Sequence, residues 1–174
     1  MSMTQLYRIS EKTLTGERIH LVPQGEEHAG EMFDVLNDSS LHQFTGGTPP
    51  ESVHALRKRF ARLATRMSPD QSQMWLNWVI ITDETRHYIG YVQATVSEMV
   101  ADIAWVIGRA YQGKGYGTEA AGLMMAALKE AGICSFTSHI RNDHLASQHI
   151  AAKLGMHCTG IVENGEDVWR LDLS

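Results

Sequence analysis

The chain has 174 residues, of which 43% are hydrophobic and 20% charged, and its formal net charge is −5. That length suits a single domain, residues 1–174, with a sizeable core, and the composition excludes disordered and membrane-embedded classes. The negative balance argues against general nucleic-acid binding, and no apolar run approaches the roughly 20 residues that span a bilayer. Met1-Ser2-Met3-Thr4-Gln5 lacks a basic-then-apolar signal, so a cytoplasmic location is expected.

In chain order, Gly16 to Pro23 reads as a strand, and Glu26 to Leu36 as a helix with Ala29, Met32, Phe33 and Leu36 inward. Asn37-Asp38-Ser39-Ser40 breaks that helix, and Phe44 to Pro50 is a loop. A basic helix follows from Glu51 to about Met67. Arg57, Lys58, Arg59, Arg62 and Arg66 make its solvated face, opposite Val53, Leu56, Phe60 and Leu63. After a loop at Ser68 to Ser72, three strands are expected over Trp75–Ile81, Tyr88–Val96 and Asp102–Ile107. The next helix carries Leu123, Ala127 and Ala131 on one face, flanked by Met124 and Leu128, and Gly132 stops it. A strand over Ser135–Ile140, a helix over Leu145–Leu154 ended by Gly155, and a hairpin over Thr159–Leu173 complete the chain. Asn164-Gly165 is the hairpin turn, with Trp169 and Leu171 on one strand face. Cys134 and Cys158 make no disulfide framework and read as small buried hydrophobes. These elements predict a mixed α+β sheet with helices on its faces.

The most informative stretch is Gln112-Gly113-Lys114-Gly115-Tyr116-Gly117-Thr118, three glycines at alternate positions between a strand and a helix. Such a loop lets backbone N–H groups converge on an anion, and the helix N-terminus beyond it favours negative charge. A pyrophosphate fits both. Gly108 to Lys114 nearly spells the P-loop of NTPases, but Gly115 stands where a magnesium-binding hydroxyl is required. The dinucleotide fingerprint fails as well, because Thr118 occupies the position of its third glycine. What remains is Q-x-x-G-x-G/A, with Gly115 and Gly117 as the glycines. This resembles the acetyl-CoA signature of the GNAT superfamily of N-acetyltransferases.

The resemblance extends along residues 14 to 172. Tyr111 to Ala120 is similar to the branch that acetylates protein N-termini, including those of ribosomal proteins, and to its small-amine relatives. His144-Leu145-Ala146-Ser147 followed by Lys153-Leu154-Gly155-Met156 resembles that branch's second motif, Asn-x-x-Ser and then Lys-Leu-Gly-Phe. Leu14 to Leu21 resembles its opening strand, and Ile89-Gly90-Tyr91-Val92 its central one. The implied fold is a mostly antiparallel central sheet, splayed where acetyl-CoA enters and flanked by helices.

The implied reaction is attack of a neutral amine on the thioester of acetyl-CoA, the co-substrate. A base must take a proton from the amine, and backbone donors must stabilise the oxyanion. The resemblance assigns the pyrophosphate to the backbone of Gln112, Gly113, Lys114, Gly115, Tyr116, Gly117 and Thr118. It assigns pantetheine pairing and the oxyanion to the backbone of Trp105, Val106 and Ile107, whose side chains read as core. Asp102 is the first candidate base, because the resemblance implies an acidic residue at this point of the strand; beside an apolar run its pKa could be raised by desolvation, although it also reads as the exposed start of a strand. Glu98 is the weaker alternative. Ser147 is the candidate acid for the departing thiolate, or else a helix cap or coenzyme contact. A tyrosine acid is excluded, since its position is Ala151. His144 stands where the motif expects Asn, and a ring N–H can still reach pantetheine, while Asn142 could substitute in a shifted turn. His139, His144, His149 and His157 lack the spacing of a helical zinc site, so no metal is expected.

The expected partners are therefore an amine, either a small molecule or a protein N-terminus, with no nucleic acid and no membrane, and a monomeric or homodimeric chain. A non-catalytic acyl-CoA binder or sensor is the alternative reading, and a P-loop nucleotide-binding protein the third.

Overall fold

The computed structural model describes residues 3–45 and 47–174. Met1, Ser2 and Gly46 lie outside the described residues, and with them the first two positions of the N-terminal reading and one position of the expected Phe44–Pro50 loop.

One eight-stranded sheet organises the chain, formed by β1 (Leu14–Thr15), β2 (Ile19–Pro23), β3 (Met74–Thr82), β4 (Tyr88–Ser97), β5 (Val100–Ile107), β6 (Ser135–Ile140), β7 (His157–Glu163) and β8 (Glu166–Asp172). Their spatial order is β1-β2-β3-β4-β5-β6-β8-β7. Every pairing is antiparallel except β5 with β6. That parallel step is made by a helical crossover, α4 (Tyr116–Glu130). The other helices are α1 (Met3–Ser10), α2 (Ala29–Leu36), α3 (Val53–Leu63) and α5 (Leu145–Lys153). This is the expected mixed α+β class with a mostly antiparallel sheet.

Strand alternation sends side chains to two separate cores. Leu76, Trp78 and Ile80 of β3, with Ile103 and Ile107 of β5 and Phe136 of β6, join Ala120, Met124 and Leu128 of α4 and Leu6 of α1. The opposite face holds a smaller cluster, in which Val79 meets Met32 and Leu36 of α2 and Leu56 and Phe60 of α3. Farther along that second face, Asp102 and His139 sit on β5 and β6 among exposed and half-buried residues. A polar stretch of sheet is thereby left open beside α2 and α3.

The sheet splits where β5 meets β6. Their register runs from Val100↔Ser135 through Ala101↔Phe136 to Asp102↔Thr137 and stops. β5 continues to Ile107 and β6 to Ile140 without pairing to each other. On its other side β5 crowds β4, where a Cβ at Gly90 would overlap the Val106 carbonyl. Only glycine permits that approach.

Several expectations require correction. Residues 16–18 leave the predicted first strand as a turn, because the Glu119 carboxylate captures the backbone N–H groups of Glu17 and Arg18 at 3.0 and 2.8 Å. The helix expected from Glu26 begins as a 3₁₀ turn over Glu26–His28, where His28 Nδ1 accepts the Gly25 N–H, and Phe33 is only half-buried. The basic helix is shorter than predicted. Ser52 caps it through the Ala55 N–H, while Arg66 turns left-handed (φ 61°) and leaves the basic face to meet Glu11 and Tyr7. The buried face of α4 is rotated toward Ala121, Met124, Met125 and Leu128, leaving Leu123 and Ala127 half-buried. Cys134 and Cys158 are both exposed, Cys134 just past the end of α4 and Cys158 on the edge strand β7. The hairpin begins earlier than predicted, at His157. α1 was not predicted, although it buries Leu6 completely.

Gly132 ends α4 as expected. Its φ is 96°, its N–H reaches the Lys129 carbonyl, and the Ile133 N–H reaches the Leu128 carbonyl, the paired bonds of a Schellman stop. Asn164 and Gly165 both take positive φ in the hairpin turn. Among the described residues, no helix is long and apolar enough to cross a membrane.

Candidate active site

The glycine loop lies between the end of β5 and the start of α4. Gly113 and Gly115 have φ of 74° and 83°, a backbone region costly for residues with a Cβ. Gly115 is the N-cap of α4, and among the described residues no side chain caps the first turn. The first N–H groups of α4 thus remain available to an anion, with the helix dipole behind them. Gly117 has a different reason for being glycine. A Cβ there would lie 2.8 Å from Ile150 Cδ1 and 3.4 Å from Ile107 Cγ1, so it lets α5 and β5 close on α4.

A polar clamp that sequence reasoning missed fixes the loop. Arg18 donates from Nη1 to the Lys114 carbonyl at 2.9 Å and from Nε to Glu119 Oε2 at 2.8 Å, and its guanidinium lies 4.7 Å from the Tyr116 ring centre. Gln112 Nε2 donates to the Ile107 carbonyl at 2.9 Å, tying the loop to the free end of β5. In the sequence, Arg18 and Glu119 stood only as members of the matched segments Leu14–Leu21 and Tyr111–Ala120, with no role of their own.

Across the split, the turn after β6 leads into α5. His144 is the N-cap of α5, with Nδ1 accepting the Ser147 N–H at 3.1 Å. The ring proton therefore resides on Nε2, which is left to donate. Burial desolvates the ring and holds its pKa below the ordinary histidine value, in favour of this neutral form. The cap is thus an imidazole, not the Ser147 hydroxyl. Asn142 does not cap α5: it is exposed, and its backbone carbonyl accepts from Gln148 Nε2 at 2.9 Å. Phe44 packs edge-on against His144 at 4.1 Å, and Arg141 reaches both the Phe44 ring and the Gln43 carbonyl. These contacts hold Gln43 and Phe44 against the turn that follows β6.

Asp102 stands at the last paired position before the strands diverge. The burial expected for it is absent, since its side chain is 49% exposed. Its Oδ1 accepts from Thr137 Oγ1 at 2.9 Å and meets His139 Nδ1 at 3.1 Å. His139 Nε2 meets Glu163 Oε2 at 3.1 Å. Burial opposes charge on His139, but the two carboxylates prevail and raise its pKa above the ordinary value. Sequence reasoning missed this grouping, because it depends on the register of β6, β8 and β7. Glu98 sits exposed in the tight β4–β5 turn with φ 52°. Trp105 packs against the main core, as expected, yet its indole N–H is buried without a partner among the described residues.

Known proteins share this fold. An acetyltransferase from Bacillus anthracis, described as GNAT family, superposes with a TM-score of 0.75 at 16% identity, covering 92% of this chain and 98% of its own. Mycobacterium smegmatis RimJ in complex with a CoA disulfide gives 0.78 at 15% identity, over 92% and 87%. The ribosomal α-N-protein acetyltransferase RimL in complex with coenzyme A gives 0.75 at 17% identity, over 93% and 98%. Comparison with curated protein sequences gives no match. The acetyltransferase (GNAT) domain family matches residues 18–157, which span the Arg18 clamp, the glycine loop, the split and α5. By that match, and with a fold shared along nearly its whole length, the chain belongs to the GNAT acetyltransferase family.

Proposed function

We propose that the protein is an acetyl-CoA-dependent N-acetyltransferase, which moves the acetyl group to a primary amine by direct attack on the thioester. The observation that carries this reading is the adjacency of an uncapped helix N-terminus, a left-handed glycine loop and a split sheet. The loop backbone from Gln112 to Thr118 would hold the pyrophosphate. The backbone edge of Trp105, Val106 and Ile107 that faces the split, where pairing to β6 has stopped, would hold pantetheine and stabilise the oxyanion as the carbonyl becomes tetrahedral. His144 would donate from Nε2 to the pantetheine arm, with Ser147 one turn further along α5 to protonate the leaving thiolate.

Asp102 takes the amine proton in this account. Its exposure suits an acceptor arriving from the open face of the sheet, while the coenzyme enters from the α4–α5 side. The acceptor is a small-molecule amine or a protein N-terminus. Release of free thiol from acetyl-CoA, measured against a panel of such amines, tests the reading. Amine-stimulated release is expected with at least one of them; tight acetyl-CoA binding with no stimulated release would make the protein a non-catalytic binder.

A further inference from the structure

We propose that Asp102, His139 and Glu163 form a relay that carries a proton from the acceptor amine to solvent, so that the acceptor is bound as its ammonium ion. This inference rests on the N-acetyltransferase reading above and deepens it. Its basis is geometric. The three side chains come from β5, β6 and β7, and they make one hydrogen-bonded line from the point of the split to the edge hairpin. Thr137 and His139 both engage Oδ1 of Asp102, which leaves Oδ2 for the ammonium.

The charges around the line favour this use. With His139 neutral the group carries two negative charges, and with His139 protonated one, so a cation is attracted in either state. Directly opposite His139 on β8 is the apolar Val168, flanked on the same face by Glu166 and Arg170. Arg170 is engaged by Asp172 at 2.7 Å. His157 stands opposite Arg170 on β7, and Thr95 stands opposite Asp102 on β4. Among these neighbours, no cation is paired with Asp102 or Glu163 other than His139 itself.

An ammonium gives one proton to Oδ2 of the Asp102 carboxylate; a half-turn of the carboxyl group about Cβ–Cγ presents that proton to Nδ1 of neutral His139, whose Nε2 releases its own proton to Glu163 and then to water. The freed amine forms the N–C bond and the C–S bond breaks. The second proton lost by the nitrogen ends on the coenzyme thiol. His139 and Glu163 act through Asp102 and are positioning residues, whereas Asp102 touches the substrate. The raised pKa of His139 puts the acidic limb of the rate profile above the pH at which a free carboxylate would put it.

The test compares wild type, His139→Gln and Glu163→Gln over a range of pH, with an alkylamine and with a weakly basic aromatic amine that is neutral at assay pH. For the alkylamine, kcat should fall roughly tenfold in His139→Gln, below the usual contribution of a whole general base, and the acidic limb should move toward the carboxylate range. Glu163→Gln should move the limb the same way by less. With the aromatic amine the loss should stay within about twofold, which a general distortion of the site would not achieve. Wild-type limbs in both variants, or equal losses on both amines, would overturn the relay while leaving N-acetylation standing. A wild-type protein that acetylates no amine would overturn the parent reading and the relay together.

Discussion

His144 Nδ1 accepts the backbone N–H of Ser147 at 3.1 Å, so an imidazole caps the start of α5 at the position where the resembled motif has Asn. Asn is among the best N-cap residues and alanine among the poorest. Replacing His144 with Asn should therefore leave stability and coenzyme affinity near wild type. His144→Ala should cost about 1 kcal/mol in stability through the lost cap, with weaker coenzyme binding as well. Chemical denaturation and calorimetric titration with CoA read the two effects separately.

Gly115 and Gly117 should fail for different reasons. Gly115→Ala forces a Cβ into the left-handed region at φ 83° and to 3.3 Å from Arg18 Nη2, which strains the loop by roughly 1–2 kcal/mol and weakens CoA binding. Gly117→Ala places its Cβ 2.8 Å from Ile150 Cδ1, an overpacking that costs roughly 1–3 kcal/mol. Ile150→Val removes that Cδ1, so the double variant should recover most of the lost melting temperature. No such rescue is expected for Gly115→Ala.

The Arg18–Glu119 clamp should couple loop order to coenzyme affinity. The Glu119 carboxylate serves two backbone N–H groups and the guanidinium, and it is only 17% exposed. Glu119→Ala leaves those donors unpaired and should destabilise the fold by about 2 kcal/mol. Arg18→Ala loses the bond to the Lys114 carbonyl and the packing on Tyr116. It should weaken CoA binding more than it lowers the melting temperature.

Two imidazoles should give stability opposite dependences on pH. The folded-state pKa of His144 lies below its ordinary 6.5, chiefly through burial. Its contribution is present above 6.5 and is lost as pH falls through the lowered folded value. For His139 burial again opposes charge, but the bonds to Glu163 and Asp102 raise its folded value above 6.5. Its contribution is complete below 6.5 and is lost as pH rises through the raised value. Melting curves across this range should lose their acid-side slope in His144→Asn and their alkaline-side slope in His139→Gln.

The strands over Ser135–Ile140 and around β3 to β5 were legible because each is a short run rich in apolar residues bounded by turn residues, a pattern local to the strand. So was the glycine loop, where φ at Gly113 and Gly115 is a property of the loop itself. The Asp102–His139–Glu163 line was not legible. It exists only because β6 pairs with β8 and β8 with β7, and that register is set by long-range contacts absent from any local pattern. The Cys134 and Cys158 readings failed for a related reason, since burial of a small apolar residue depends on what covers it. His144 was legible as a departure from the motif, and its capping bond emerged only with the geometry of the turn before α5.

Acetyl transfer to an amine at the split between β5 and β6 underlies all of these expectations. Its most direct test is mass spectrometry of the acceptor after incubation with acetyl-labelled acetyl-CoA and the wild-type protein. Label is expected on the acceptor nitrogen in amounts equal to the free CoA thiol produced, with a sharp loss of both in Asp102→Asn. Label recovered as free acetate, or retained on the coenzyme with every amine tried, would contradict it.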